Sequence, residues 1–230
     1  IPKMVKVKQN FEDHKIEDVG QAVKNEIIKT EIKNSIVSGS SIAIGVGSRG
    51  VANIAIAVKA LVESLKDLGA KPFIFPAMGS HGGGTVENQI GLLAGYGVTE
   101  ENVGAEVKGT METVVPVTLE DGTKVHMDKY ASEADGVILI NRVKPHTNFR
   151  GEIESGIVKM MTIGMGKING ASELHGAYPM NTFGKNLPNA AKHLLEKINF
   201  LFGVGLVEDA YDSTAIVEAI LAKDLFEKEA

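Results

Sequence analysis

The chain has 230 residues, enough for one large domain or two small ones around a sizeable core. Hydrophobic residues make up 43%, charged residues 23%, and the net charge is −5, which excludes a disordered chain and argues against generic nucleic-acid binding. There is no cysteine, so disulfides, thiolate metal sites and cysteine nucleophiles are excluded, and no apolar run approaches the length of a membrane span.

The opening stretch, IPKMVKVKQNFEDHK, has no apolar signal core, which gives the expectation of a cytoplasmic protein. Within it KMVKVKQ alternates with period two and predicts a strand. IEDVGQAVKNEIIKTEIKNSI carries apolar residues at helical spacing, and SSIAIGVG reads as a buried strand. VANIAIAVKALVESLKDLGA predicts a helix that stops near Gly69, and KPFIFPAMG another strand. A helix is expected over 84–97 with Thr85 as its cap. METVVPVTLEDGTKVHMD reads as a hairpin turning at Asp121-Gly122, and GVILINRV as a buried strand. NFLFGVGLVEDAYDSTAIVEAI predicts a late pair of strands. The last residues, AKDLFEKEA, run into a helical pattern without a cap, which suggests a domain cut from a longer protein.

Alternating strands and helices predict an α/β fold: a Rossmann-like, mostly parallel sheet with helices on both faces, plus a β-hairpin. Ligands in such folds sit beyond the carboxyl ends of the strands. Three loops occupy that position, GSRGVAN, MGSHGGGT and KPHTNFRGE, and they bring Arg49, His81 and His146. If their strands are neighbours, the loops converge.

GVGSRG at 45–50 matches G-x-G-x-x-G after a strand and before a helix, the setting of a dinucleotide fingerprint. The next strand ends without an acidic residue for a ribose, so a tight turn with Arg49 at a helix start, clamping a carboxylate, is the better reading. In GSHGGGT, Gly82 and Gly83 follow His81, so the backbone can approach an anion closely beside an imidazole acid or base. His14, His126 and His193 fall in polar or surface settings and read as structural. Residues 141–175 carry five lysines and arginines against three glutamates in an otherwise acidic chain, which suggests a local anionic ligand.

ESGIVKMMTIGMGKINGASELHG at 154–176 sets Lys159 inside an apolar run and His175 sixteen residues later. Desolvation turns a lysine into an amine nucleophile or covalent anchor, and a neutral histidine is a common ligand for nickel, copper or zinc. The pair could tether an organic cofactor at one end and a metal at the other.

The set SR at 48–49, GSH at 79–81, RVKPH at 142–146, Lys159 and ELH at 173–175 resembles the N-terminal domain of the nickel-dependent lactate racemase family over nearly the whole chain. The resemblance implies nickel and a nickel-pincer nucleotide, a nicotinate-derived mononucleotide joined to Lys159 through a thioamide, with His175 completing the nickel coordination. It implies His81 and His146 as acid–base groups on opposite faces of a small 2-hydroxy acid and Arg49 as the carboxylate clamp. The Gly-rich segments, with Gly82 and Gly83, would help hold the phosphate. It further implies cofactor-making enzymes and a closing C-terminal domain as partners. Two departures stand out: Val46 occupies a position where the family pattern has aspartate, and HTNFRGEIESGIVK is about three residues longer than its counterpart. Residues 1–230 are therefore expected to be the cofactor-binding domain of a 2-hydroxy acid racemase or epimerase. The alternatives are a non-catalytic nucleotide- or anion-binding module and an NAD-dependent dehydrogenase.

Overall fold

The structure, a computed structural model, describes residues 2–230. The first helical segment divides into α1 (Val19–Ile27) and α2 (Thr30–Asn34). Buried Ile27 and Ile32 are five residues apart, about 140° around a straight helix, so the break lets both face the core. β1 (Ser41–Val46), α3 (Ile54–Asp67) and β2 (Lys71–Pro76) follow as predicted. α4 (Val86–Gly95) is capped by the Thr85 hydroxyl, which accepts from the Asn88 N–H, and α5 (Glu100–Val103) is a short addition. The hairpin is β3 (Thr113–Thr118) and β4 (Lys124–Asp128), with Gly122 in the left-handed conformation at its turn. After α6 (Lys129–Ser132) and β5 (Gly136–Arg142) come three helices that were not among the expected elements: α7 (Ile157–Lys159), α8 (Lys167–Ala177) and α9 (Phe183–Leu195). β6 (Phe200–Glu208), β7 (Thr214–Leu221) and α10 (Leu225–Lys228) complete the chain.

The main sheet has the order β2-β1-β5-β6-β7, parallel except for β7, which returns antiparallel along β6. Alternation splits its side chains between two cores. Ile42, Ile44, Ile138, Ile140, Phe202 and Val204 face α1 and α3. Ala43, Phe73, Phe75, Val137 and Leu139 face the hairpin, α7 and α9. Helices therefore cover both faces, as a parallel sheet requires. No described helix is long and apolar enough to cross a membrane.

The predicted strand KMVKVKQ does not form. Residues 2–15 have no regular structure, and Met4, Val5 and Val7 are 90%, 82% and 79% exposed. Period-two patterning makes a strand only where a neighbouring edge takes up the N–H and C=O groups, and no described strand runs beside it. The segment is fastened further on, where the Ile16 N–H donates to the Thr214 carbonyl at 2.8 Å.

The chain leaves β1 for β2 on one side and returns to β5 on the other. The strand order thus reverses beside β1, and its carboxyl end opens on a crevice.

Candidate active site

Residues 47–53, 77–85 and 143–156 leave the carboxyl ends of β1, β2 and β5, three adjacent parallel strands. They border a half-open cleft, concave as small-molecule sites are. Arg49, His81, Lys159 and His175 all line it, together with Ser48, Asn141 and Lys144. The convergence expected of the loops is therefore present. His14, His126 and His193 lie outside this lining. Their rings contact Glu12, the Thr113 hydroxyl and the Asn189 carbonyl.

His146 stands at the rim rather than in the lining. Its ring stacks on Phe149 at 4.2 Å, Phe149 meets Phe183 edge-on at 5.8 Å, and His175 tilts against Phe183 at 4.9 Å. The Lys159 ammonium lies 5.9 Å from the Phe149 ring centre. A wall of four rings thus links the two histidines past the lysine. Sequence reading missed Phe149 and Phe183; the only cue was a phenylalanine three residues after His146.

The longer segment after His146 is a closed loop. The Lys144 N–H donates to the Ser155 carbonyl at 2.8 Å across its neck. Glu154 accepts from the N–H groups of His146 at 2.6 Å and Gly151 at 3.2 Å. An internal carboxylate thus holds the backbone of His146 in place.

Gly82–Gly84 form a single turn in which all three residues are left-handed, which only glycine adopts readily in succession. Gly82 and Gly83 are not among the lining residues; the turn lies between His81 and the Thr85 cap of α4. The buried Gln89 amide donates to the carbonyls of Gly79 and His81, both at 3.0 Å, and fixes the backbone behind the imidazole. The Ser48 hydroxyl is hydrogen-bonded to His81 Nδ1, and the Tyr96 hydroxyl donates to the Ser48 carbonyl.

Arg49 is five residues ahead of α3, not at a helix start. Asn53 in the left-handed conformation opens that helix, and the preceding Ala52 N–H donates to a carboxylate oxygen of Glu208 at 2.6 Å. Glu208 also pairs with Arg142 at 2.6 Å. A dinucleotide fingerprint needs such N–H groups for the pyrophosphate. Here a side chain of the protein is already bonded just ahead of the helix, so GVGSRG works as a turn that delivers Ser48 and Arg49.

Lys159 closes α7 and is half-buried. The Glu229 carboxylate, buried, accepts from the Val158 N–H at the start of that helix at 3.1 Å, and burial pushes its acid up to about 7. Beyond Lys159 the chain widens into a π turn, Met160–Gly164, with the Met165 N–H reaching back five residues to the Met160 carbonyl. A β-carbon at Gly164 would stand 2.6 Å from the Ala77 carbonyl oxygen, so glycine permits the close approach. The Gly164 carbonyl then accepts from the Gly79 N–H at 3.0 Å. This contact ties the element bearing Lys159 to the loop bearing His81.

No acidic residue lines the cleft, and among the described residues Arg49, Lys144 and Lys159 have no carboxylate within ion-pair distance. Burial, then the charges of Arg49 and Lys144, push the Lys159 amine down to about 8. Burial, then Lys159, Lys144 and Arg49, push His146 down to about 4 against the opposing pull of Glu154. His81 is lowered by burial, Arg49 and Lys159, and His175 by burial and Lys159. The cleft is therefore cationic, with neutral imidazoles at neutral pH and an amine that releases its proton easily. Such a site attracts a small anion and offers it bases and a nucleophile.

The lysine that is fully buried is Lys167, eight residues on. Its ammonium pairs with buried Asp128 at 2.8 Å and donates to the Pro76 carbonyl at the end of β2. Among the described residues no group of three or more histidines and carboxylates is placed to hold a metal.

Comparison with known proteins gives a family and a fold. The family model described as the lactate racemase N-terminal domain matches residues 3–182. The structure of the lactate racemase apoprotein from Thermoanaerobacterium thermosaccharolyticum superposes with a TM-score of 0.71 at 16% identity, a likeness of fold. The match covers 96% of this chain and 58% of that one, so the chain spans less than two thirds of its structural relative. No curated protein sequence matches.

Proposed function

The chain belongs to the lactate racemase N-terminal domain family, and from that premise we propose that it is the cofactor-binding part of a nickel-dependent racemase or epimerase of a small 2-hydroxy acid. One observation carries the reading: Arg49, His81, Lys159 and His175 line one cationic cleft, with His146 stacked at its rim. The donor set fits a nickel-pincer nucleotide. Lys159 supplies a free amine for a covalent link, His175 supplies one metal ligand, and no competing protein ligand set lies nearby among the described residues. When bound, that group supplies a hydride acceptor and donor.

The remaining work falls to the chain's own residues. Arg49 clamps the substrate carboxylate with parallel hydrogen bonds. His81 and His146 exchange the hydroxyl proton, one on each side of the substrate. Both are held neutral by burial and by cations, the state in which an imidazole can accept a proton at neutral pH. Gly82 and Gly83 serve by forming the turn behind His81. The family's C-terminal domain is proposed as the lid that dries the cleft.

The experiment is an intact-mass and peptide-mapping measurement on protein co-expressed with the cofactor-making enzymes. A mass increase located on Lys159, absent in Lys159→Ala with the fold retained, is expected. Reversible nucleotide binding without an adduct would replace this reading with that of an anion-binding module.

A further inference from the structure

The two histidines have different partners at Nδ1. At His146 the partner is the Asn148 main-chain N–H, 3.1 Å away. A backbone N–H only donates, so Nδ1 must be bare and the proton of the neutral ring must sit on Nε2. At His81 the partner is the Ser48 hydroxyl, which can donate or accept. The cations that share the cleft favour one of the two. His81 faces a cleft it shares with Arg49 and Lys159, and a neutral imidazole beside cations gains by turning its bare nitrogen toward them. Nε2 is then bare, and Nδ1–H donates to Ser48 Oγ. Among the described residues neither Nε2 has a hydrogen-bond partner, so both are available to a ligand.

We propose that Ser48 and the Asn148 main chain hold His81 and His146 in opposite tautomers, so that the resting cleft presents an acceptor at His81 Nε2 and a donor at His146 Nε2. Ser48 is then a positioning residue. Tyr96 fixes its carbonyl, Gln89 fixes the His81 backbone, and the Ser48 hydroxyl fixes the ring. A carboxylate partner would stabilise the imidazolium. A neutral hydroxyl does not, so it sets the tautomer while leaving His81 a neutral ring. The use of the two rings as acid and base rests on the racemase reading; the tautomers themselves do not.

The test is long-range ¹H–¹⁵N correlation spectroscopy of the histidine-labelled chain at pH 8, where both rings are neutral, with signals assigned through His81→Gln and His146→Gln. His81 is expected to carry its proton on Nδ1 and His146 on Nε2. Ser48→Ala shifts the His81 tautomer ratio toward Nε2–H by roughly fivefold, the worth of one ordinary hydrogen bond, and leaves His146 unchanged. Ser48→Thr, which keeps the hydroxyl, retains the wild-type pattern. Finding both rings in the Nε2–H form, or no response of His81 to Ser48→Ala, overturns the proposal. Loss of the Lys159 adduct alone would sink the racemase reading and leave this one standing.

Discussion

Lys159 is costly where it stands, and the cost is what makes it useful. Its amine falls to about 8 against the ordinary 10.5, by burial and then by Arg49 and Lys144. In the unfolded chain the amine keeps the ordinary value, so between about pH 8 and 10.5 the unfolded state binds more protons. Stability therefore rises with pH across that window. Lys159→Met, free of the penalty, is expected to be more stable than wild type at pH 7, with the gap narrowing by pH 10.5 in urea denaturation. The same charge acts on His146, held down to about 4. In Lys159→Met the His146 titration followed by NMR should move upward, toward the ordinary range, because a positive neighbour has gone. An unchanged midpoint would show that the Lys159 charge does not reach it. These residues could be picked from the sequence because chemistry restricts which side chains can serve. Phe149 and Phe183 could not, because any large apolar residue reads as core.

Among the elements, the π turn after Lys159 is the one that aligns the site. Gly164→Val would place side-chain atoms against the Ala77 carbonyl, so either the turn or the His81 loop must move. The expected loss is about 1–3 kcal/mol of stability, typical of overpacking. It should come with a changed rate of Lys159 acylation, read by mass spectrometry at pH 8. The strands β1, β2, β5, β6 and β7 and the hairpin were legible because apolar runs and Asp121-Gly122 carry strong local signals. α7 is a single turn, and glycines and a buried lysine blur the period of α8, whereas α9 does carry a helical stripe, Phe183, Leu187, Ala190, Ala191 and Leu194, around an internal proline. KMVKVKQ failed for the opposite reason: its pattern is regular, but no edge receives it.

For the molecule as a whole, the Lys167–Asp128 pair is the internal bolt. It joins α8, which carries His175, to the hairpin and to the end of β2, from which the His81 loop departs. Removing one partner leaves an uncompensated buried charge. Lys167→Met is expected to cost about 3–5 kcal/mol, measured by urea unfolding. Lys167→Met with Asp128→Asn should recover much of that loss, since the asparagine can still accept from the Ala131 N–H. If the double variant is no better than the single, the pair contributes through packing and not through charge.

The sequence by itself determined where β1 to β7 lie, the α/β class, the three loops and the chemistry available in them, but not that KMVKVKQ would stay unpaired. These follow from short-range periodicity and from the kinds of side chain present. Only the tertiary structure decided that the loops share one cleft, that Lys167 rather than Lys159 is sealed in the core, and that Glu208 lies against the backbone leading into α3. Each of these depends on residues distant in the chain meeting at the reversal of strand order. Burial and pairing are properties of that meeting, and no local window of sequence contains both partners.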